Sequence, residues 1–290
     1  MKITKVELIP VDIPRKKVLT LAHYGNLGQG GNFEFVLVRI HTDEGITGVG
    51  EVPPLPPLSP ESQPVILDVQ KKWLVPTLLG MDPFETEEIW KRMDFIAPTY
   101  SMAKASIDMA LWDIMGKSLD MPIHRLLGGS KPEKIPNVGL VGIDEPEVVA
   151  GVASEFVSDG YKGIRLKIAP GHDVDCVAAV REEIGYDVDL RVDCNQGYRV
   201  SEAVKMIRNI EPYDIEMVEQ PTIWWDFNGM AEVAAAVDTP LMAHESMYLL
   251  SDVKNLIDVG AFGVLGLKTY RPWGGLTGAR RLLEMARVMN

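Results

Sequence analysis

The sequence predicts an α/β protein: a (β/α) barrel of the TIM type behind an N-terminal α+β capping domain. Three observations carry that prediction. Five short apolar runs, at 163–168, 190–195, 215–220, 240–245 and 263–268, each place a charged or ligating side chain near their ends, at Lys167, Asp193, Glu219, His244 and Lys268. These residues are 26, 26, 25 and 24 apart. A constant step marks a repeated supersecondary unit, and about 25 residues suit a strand plus a crossover helix. Between the runs lie segments with apolar residues at three- and four-residue spacing, at 173–184, 201–210, 228–237, 251–259 and 276–289, with Ser201 and Ser251 placed as N-caps. The first 130 residues lack this rhythm.

In chain order, 2–14 reads as a strand. The segment 19–32, with Gly25, Gly28, Gly30 and Gly31, reads as a loop, or as a lid that closes over a site. A hairpin follows at 33–52, turning at 42–45, and the proline-rich 53–64 excludes a central strand. Helices are expected at 65–79, 83–93 and 103–119. The pattern divides the chain into a capping domain, 1–130, and a barrel domain, 131–290. Six barrel strands are expected, near 138, 164, 191, 216, 241 and 264. A closed eight-unit barrel calls for two more units, so the expectation is a barrel truncated after its sixth unit: the sequence is a fragment, the gene is truncated, or another chain closes the edges, a homo-oligomer being expected if the chain is complete.

Composition excludes several classes. A net charge of −12 with no basic stripe argues against nucleic acid. No run of about 18 apolar residues and no signal core appear, so neither a membrane partner nor export is expected and the cytoplasm is the default. Two cysteines, Cys176 and Cys194, are too few for a disulfide framework. Cys194 reads as a small core residue, and His23 and His124 as structural or surface residues. Trp224, Trp225, Tyr270 and Trp273 are placed to line a pocket or to pack the core.

These residues resemble the enolase superfamily, and within it the muconate-lactonizing subgroup. Ala105 to Ile114 is similar to that family's helix joining cap to barrel. Arg165-Leu-Lys167 resembles its Lys-x-Lys motif, Asp193-Cys-Asn195 its Asp-x-Asn, Glu219-Gln-Pro its second metal ligand and Ala243-His-Glu-Ser its Ala-Asp-Glu-Ser segment. Lys268, ahead of Gly274 and Gly275, resembles its sixth-strand lysine.

The resemblance implies an isomerase that takes the proton alpha to the carboxylate of a small-molecule substrate through an ene-diolate: a racemase or epimerase of an amino-acid derivative, or a muconate-type cycloisomerase. The alternatives are an acid-sugar or hydroxy-acid dehydratase, a Schiff-base aldolase on the same barrel, and a catalytically impaired homologue or fragment. It assigns Lys167, Lys268 and Arg165 to catalysis, and Asp193, Glu219, His244 and Glu245 to a metal, with Asn195 behind them. Hard oxygen ligands suit Mg²⁺, and Mn²⁺ is possible. Two departures stand out. His244 replaces an aspartate, and imidazole favours Mn²⁺, Fe²⁺ or Zn²⁺ over Mg²⁺. Arg165 replaces a lysine, so its charge is permanent and it cannot serve as the base. Because successive strand residues face opposite ways, Glu245 can join His244 only if the strand end bends.

Overall fold

The computed structural model describes residues 1–14, 19–22, 25–27, 32–56, 58–131, 134–271 and 274–289. Strands β1 (Ile3–Pro14), β4 (Asn32–Thr42) and β5 (Thr47–Val52) form an antiparallel sheet in the order β1-β4-β5. Val36, Val38 and Ile40 alternate along β4 onto one fully buried face. Between β1 and β4 lies a small antiparallel pair, β2 (Leu19–Leu21) with β3 (Gly25–Leu27), where the glycine content suggested only a loop or lid. Glycine frees the backbone without forbidding a ladder. Gly28, Gly30 and Gly31 of that segment, and His23, lie outside the described residues.

Helices then cover the sheet. A helix expected at 65–79 is three pieces: α1 (Gln63–Val69), a π-helical turn (Gln70–Leu74) and α2 (Val75–Leu78). Pro76 has no N–H to return to the carbonyl four residues back, which accounts for the widened turn. Helix α3 (Thr86–Ile96) starts three residues later than the pattern suggests. Asp82 first closes a turn, accepting Phe84 N at 3.0 Å on its side chain and Glu85 N at 3.0 Å on its carbonyl. The long α4 (Ser101–Ser118) lies directly on β5: a Cβ on Gly48 would sit 2.0 Å from the Ala110 carbonyl, and one on Gly50 1.8 Å from that of Ser106. The short α5 (Ile123–Leu126) closes this layer.

The repeat follows: β6 (Val138–Val141), α6 (Pro146–Ser158), β7 (Gly163–Lys167), α7 (Val174–Ile184), β8 (Asp189–Asp193), α8 (Val200–Ile210), β9 (Ile215–Glu219), α9 (Phe227–Ala236), β10 (Leu241–Ala243), α10 (Leu250–Asp258), β11 (Val264–Leu265) and α11 (Gly275–Met289). The six strands pair in parallel and in chain order, with β6 and β11 at the two ends of the sheet. Ile164, Leu166, Leu190, Val192 and Val218 pack with the helices in one buried cluster. Ser201 and Ser251 are not N-caps. The N-cap of each helix lies two residues earlier, at Arg199 and Leu249, and the acid three residues on reaches back: Glu202 Oε2 accepts Arg199 N at 3.0 Å and Asp252 Oδ2 accepts Leu249 N at 2.8 Å.

The two layers meet through α4 and α11. Trp112 Nε1 donates to Thr277 Oγ1 at 2.9 Å, and Asp108 Oδ2 accepts Thr277 N at 3.0 Å. Among the described residues no helix is long and apolar enough to cross a membrane.

Candidate active site

Register converts the 26-residue step into a site. Lys167 pairs with Asp193, and Asp193 with Glu219, so one row across β7, β8 and β9 carries all three side chains at the strand ends. Arg165, two residues before Lys167, shares its face. All but Arg165 are buried. Lys167 Nζ donates to Asp193 Oδ2 and, at 2.7 Å, to Asn195 Oδ1. Arg165 spans the row. Its Nε meets Glu219 Oε2 at 2.7 Å, and its Nη2 meets both Glu219 Oε1, at 2.5 Å, and Asp193 Oδ2. Asn195 joins the next element, donating from Nδ2 to Glu245 Oε1 at 2.7 Å.

Strand β10 ends at Ala243, and the bend that Glu245 requires follows at once. Gln220 builds it. Its Oε1 accepts His244 N and Ser246 N, each at 3.0 Å, while its Nε2 donates to Ser246 Oγ at 2.6 Å. Gln220 itself is in the left-handed region with φ 40°, as are Asn195 (φ 40°) and Gln196 (φ 68°). Such conformations in non-glycine residues persist where surrounding contacts hold them, and they gather at working sites. As a result His244 and Glu245 both face Glu219. His244 Nδ1 is 2.7 Å from Glu219 Oε1 and 3.2 Å from Glu245 Oε2. Neither oxygen lies in hydrogen-bonding direction, so His244 Nδ1 and Glu245 Oε2 are buried with no hydrogen-bond partner among the described residues. Ligand-type atoms of Glu219, His244 and Glu245 lie within 4.8 Å of one another.

Lys268 follows β11 in a turn closed by Arg271 N donating to the Lys268 carbonyl at 3.1 Å. Its ammonium stands 5.7 Å from the centre of the Tyr270 ring. Arg271 was not singled out by the sequence. It is 4 % exposed, its Nη2 lies 3.0 Å from His244 Nε2, its Nη1 donates to the Leu58 carbonyl of the proline-rich segment at 3.2 Å, and its guanidinium lies 5.3 Å from the Tyr248 ring centre. An aromatic wall continues outward, with Tyr248, Trp224 and Trp225 in successive edge-on contacts of 5.5 and 5.4 Å. Trp224 and Trp225 are therefore exposed beside the site rather than packed in the core. Trp273 lies outside the described residues.

The charges bias one another. Burial lowers Lys268 from 10.5 to about 8, and the positive charges of Arg271 and Arg165 add to the effect. Burial and the charges of Glu219 and Glu245 raise Asp193 against the pull of Lys167 and Arg165. Burial alone would raise Glu245, but the adjacent His244 and the Asn195 amide outweigh it and bring it to about 2. Glu219 is lowered in the same way by His244, Arg165 and Lys167. Burial raises Cys194 well above its ordinary value, which keeps the thiol protonated and suits a core residue.

Known proteins share this arrangement of layers. Residues 20–128 match the family described as mandelate racemase / muconate lactonizing enzyme, N-terminal domain, and residues 148–290 match that described as enolase C-terminal domain-like. A hydrophobic dipeptide epimerase of Enterococcus faecalis is 34% identical over 287 residues, covering 98% of this chain and 79% of that one. An N-succinyl-L-Arg/Lys racemase of Bacillus cereus is 31% identical, covering 99% and 78%. The crystal structure of the dipeptide epimerase from Enterococcus faecalis, complexed with Mg and the dipeptide L-Leu-L-Tyr, superposes with a TM-score of 0.93 at 33% identity, over all of this chain and 80% of that one. Matched over both its halves, the chain belongs to the mandelate racemase / muconate lactonizing enzyme family of the enolase superfamily and is an isomerase of the racemase and epimerase kind.

Proposed function

We propose that the chain inverts the α-carbon of an amino-acid derivative with a free carboxylate, a dipeptide or an N-acyl amino acid, by a two-base proton transfer between Lys167 and Lys268. The observation that carries the reading is an asymmetry. Lys268 is lowered to about 8 by burial, Arg271 and Arg165, whereas Lys167 donates to both Asp193 Oδ2 and Asn195 Oδ1. Inversion needs that pair: one neutral amine to take the proton and one charged amine to return it from the other side. The lysines come from β7 and from the turn after β11, four strands apart, so the carboxylate cluster lies between them.

The residues present fit a divalent cation. Three buried carboxylates, Asp193, Glu219 and Glu245, crowd together, and Glu245 Oε2 has no hydrogen-bond partner among the described residues. Asp193, Glu219 and Glu245 would hold it, and hard oxygens suit Mg²⁺. Once bound, it supplies positive charge that favours the ene-diolate form of the substrate. Arg165, fixed between Asp193 and Glu219, adds a permanent charge to the same place. Lys268 takes the α-proton of one antipode, and Lys167 returns a proton from the opposite face. The Trp224–Trp225–Tyr248 wall offers an apolar surface for the substrate side chain.

The test is a chiral assay of dipeptides and N-succinyl amino acids with Mg²⁺. Inversion at one α-carbon that stops on chelation is the expected result. Folded protein that inverts none of them would overturn the reading.

A further inference from the structure

The two lysines of the proposed reaction are held by different parts of the molecule. Lys167 ends β7, which is hydrogen-bonded to β6 on one side and β8 on the other, and its ammonium donates to Asp193 and Asn195. Lys268 has no such frame. It stands three residues beyond β11, which is two residues long and pairs with β10 at the end of the sheet. The last backbone tie to β10 among the described residues is Gly266 N donating to the Ala243 carbonyl at 2.8 Å. Among the described residues the Lys268 ammonium makes no hydrogen bond and no ion pair. What it has is the face of the Tyr270 ring, whose centre is 5.7 Å away. An aromatic face attracts a cation within roughly 6 Å.

Tyr270 packs into the cap, not into the barrel. It lies against the buried apolar cluster that contains Val36, Val38 and Ile40 of β4 and Ala105 of α4. The chain after it is fastened to the same domain. Arg271 Nη1 donates to the Leu58 carbonyl at 3.2 Å. Gly274 and Gly275 lie so near α4 that a Cβ would sit 2.1 Å from the Ser101 carbonyl and 2.3 Å from Asp108 Oδ2. Thr277 then bonds to Asp108 and Trp112. The turn that carries Lys268 is therefore moored to the cap.

We propose that Tyr270 is a positioning residue for Lys268: seated in the cap's core, its ring sets where the Lys268 ammonium stands, so that the cap rather than the sheet places the base on that face of the substrate. The consequence for the reaction rests on the two-base reading above. The placement of Lys268 does not.

The test has an arm without substrate and an arm with it. In proton–carbon NMR of lysine-labelled protein, the Lys268 ε-methylene, identified by its loss in Lys268→Arg, should lie upfield of exposed lysines, because an aromatic face shields the protons above it. Tyr270→Leu, which keeps apolar bulk in the cap, should move that signal towards the exposed lysines, and Tyr270→Phe should not. An ε-methylene unmoved in Tyr270→Leu would overturn the proposal. With substrate in D₂O, Tyr270→Leu should slow α-proton exchange roughly tenfold to hundredfold for the antipode deprotonated by Lys268, the scale of a misplaced reacting group, with little change in KM or in exchange of the other antipode. Tyr270→Phe should restore the rate. Equal loss for both antipodes would reveal a merely structural role and overturn the proposal, as would full rate in Tyr270→Leu. Wild-type protein that exchanges neither antipode would defeat the two-base reading, and the NMR arm would still decide the placement.

Discussion

Buried charge is arranged differently in the cap and at the barrel rim. In the cap each buried ionisable group has its own hydrogen-bond partners. Glu61 accepts Met102 N at 2.7 Å and Ala103 N at 3.0 Å, closing the N-terminus of α4. Lys104 donates to Asp94 at 2.6 Å, and Asp108 accepts Trp90 Nε1 at 2.6 Å and Thr277 N at 3.0 Å. At the rim three carboxylates share one space with four cations. Of five buried side-chain atoms without hydrogen-bond partners among the described residues, four belong to Thr222, His244, Glu245 and Arg271. A buried charge satisfied by its neighbours holds a fold together. Like charges pressed together beside unpartnered atoms are arranged for a ligand.

Mutations should separate the two networks. The largest effect expected is on rate: Lys268→Ala should lower inversion by roughly 10²–10⁴-fold, the usual worth of a positioned acid or base, with little change in melting temperature. The opposite signature belongs to Asp108→Ala, which strands the Trp90 and Thr277 N–H groups. It should cost about 2–4 kcal/mol in denaturant titrations, while the remaining folded protein keeps its rate per molecule. A loss of rate without loss of stability at Asp108 would break the distinction.

Smaller effects lie in the pH dependence. Lys268 acts as a base when neutral, so kcat/KM should rise with pH through a limb near 8. Arg271→Gln removes a neighbouring charge and should move that limb upward, towards 10.5. Glu61 behaves in the opposite sense and through stability. Burial raises it from 4.5 to about 7, so between those values the folded protein binds a proton that the unfolded chain has shed. Stability should therefore fall as pH rises across that window. Glu61→Gln, which keeps one acceptor, should cost about 1 kcal/mol at pH 5 and flatten the slope.

The rim was more legible in the sequence than the cap because its logic is periodic. Steps of 26 residues preserve register from β7 to β9, so Lys167, Asp193 and Glu219 could be aligned before any strand was placed. His244 and Glu245 were legible as types, but the bend that turns both inward depends on Gln220 reaching a different strand. Arg271 went unnoticed because its burial arises from Leu58 and Tyr248, distant in the chain. In the cap, glycine content concealed the β2–β3 pair, and in the barrel helices Ser201 and Ser251 lost the capping positions to Arg199 and Leu249, whose N–H groups the acids three residues on accept. In each case a contact across the fold outweighed a local preference.

The most direct test of the two-base account is α-proton exchange in D₂O, followed by NMR separately for the two antipodes of a substrate. Single Lys167→Ala and Lys268→Ala variants should each lose inversion, yet each should retain exchange with one antipode, opposite for the two variants. Equal loss or equal retention for both antipodes would contradict the placement of one base on each face.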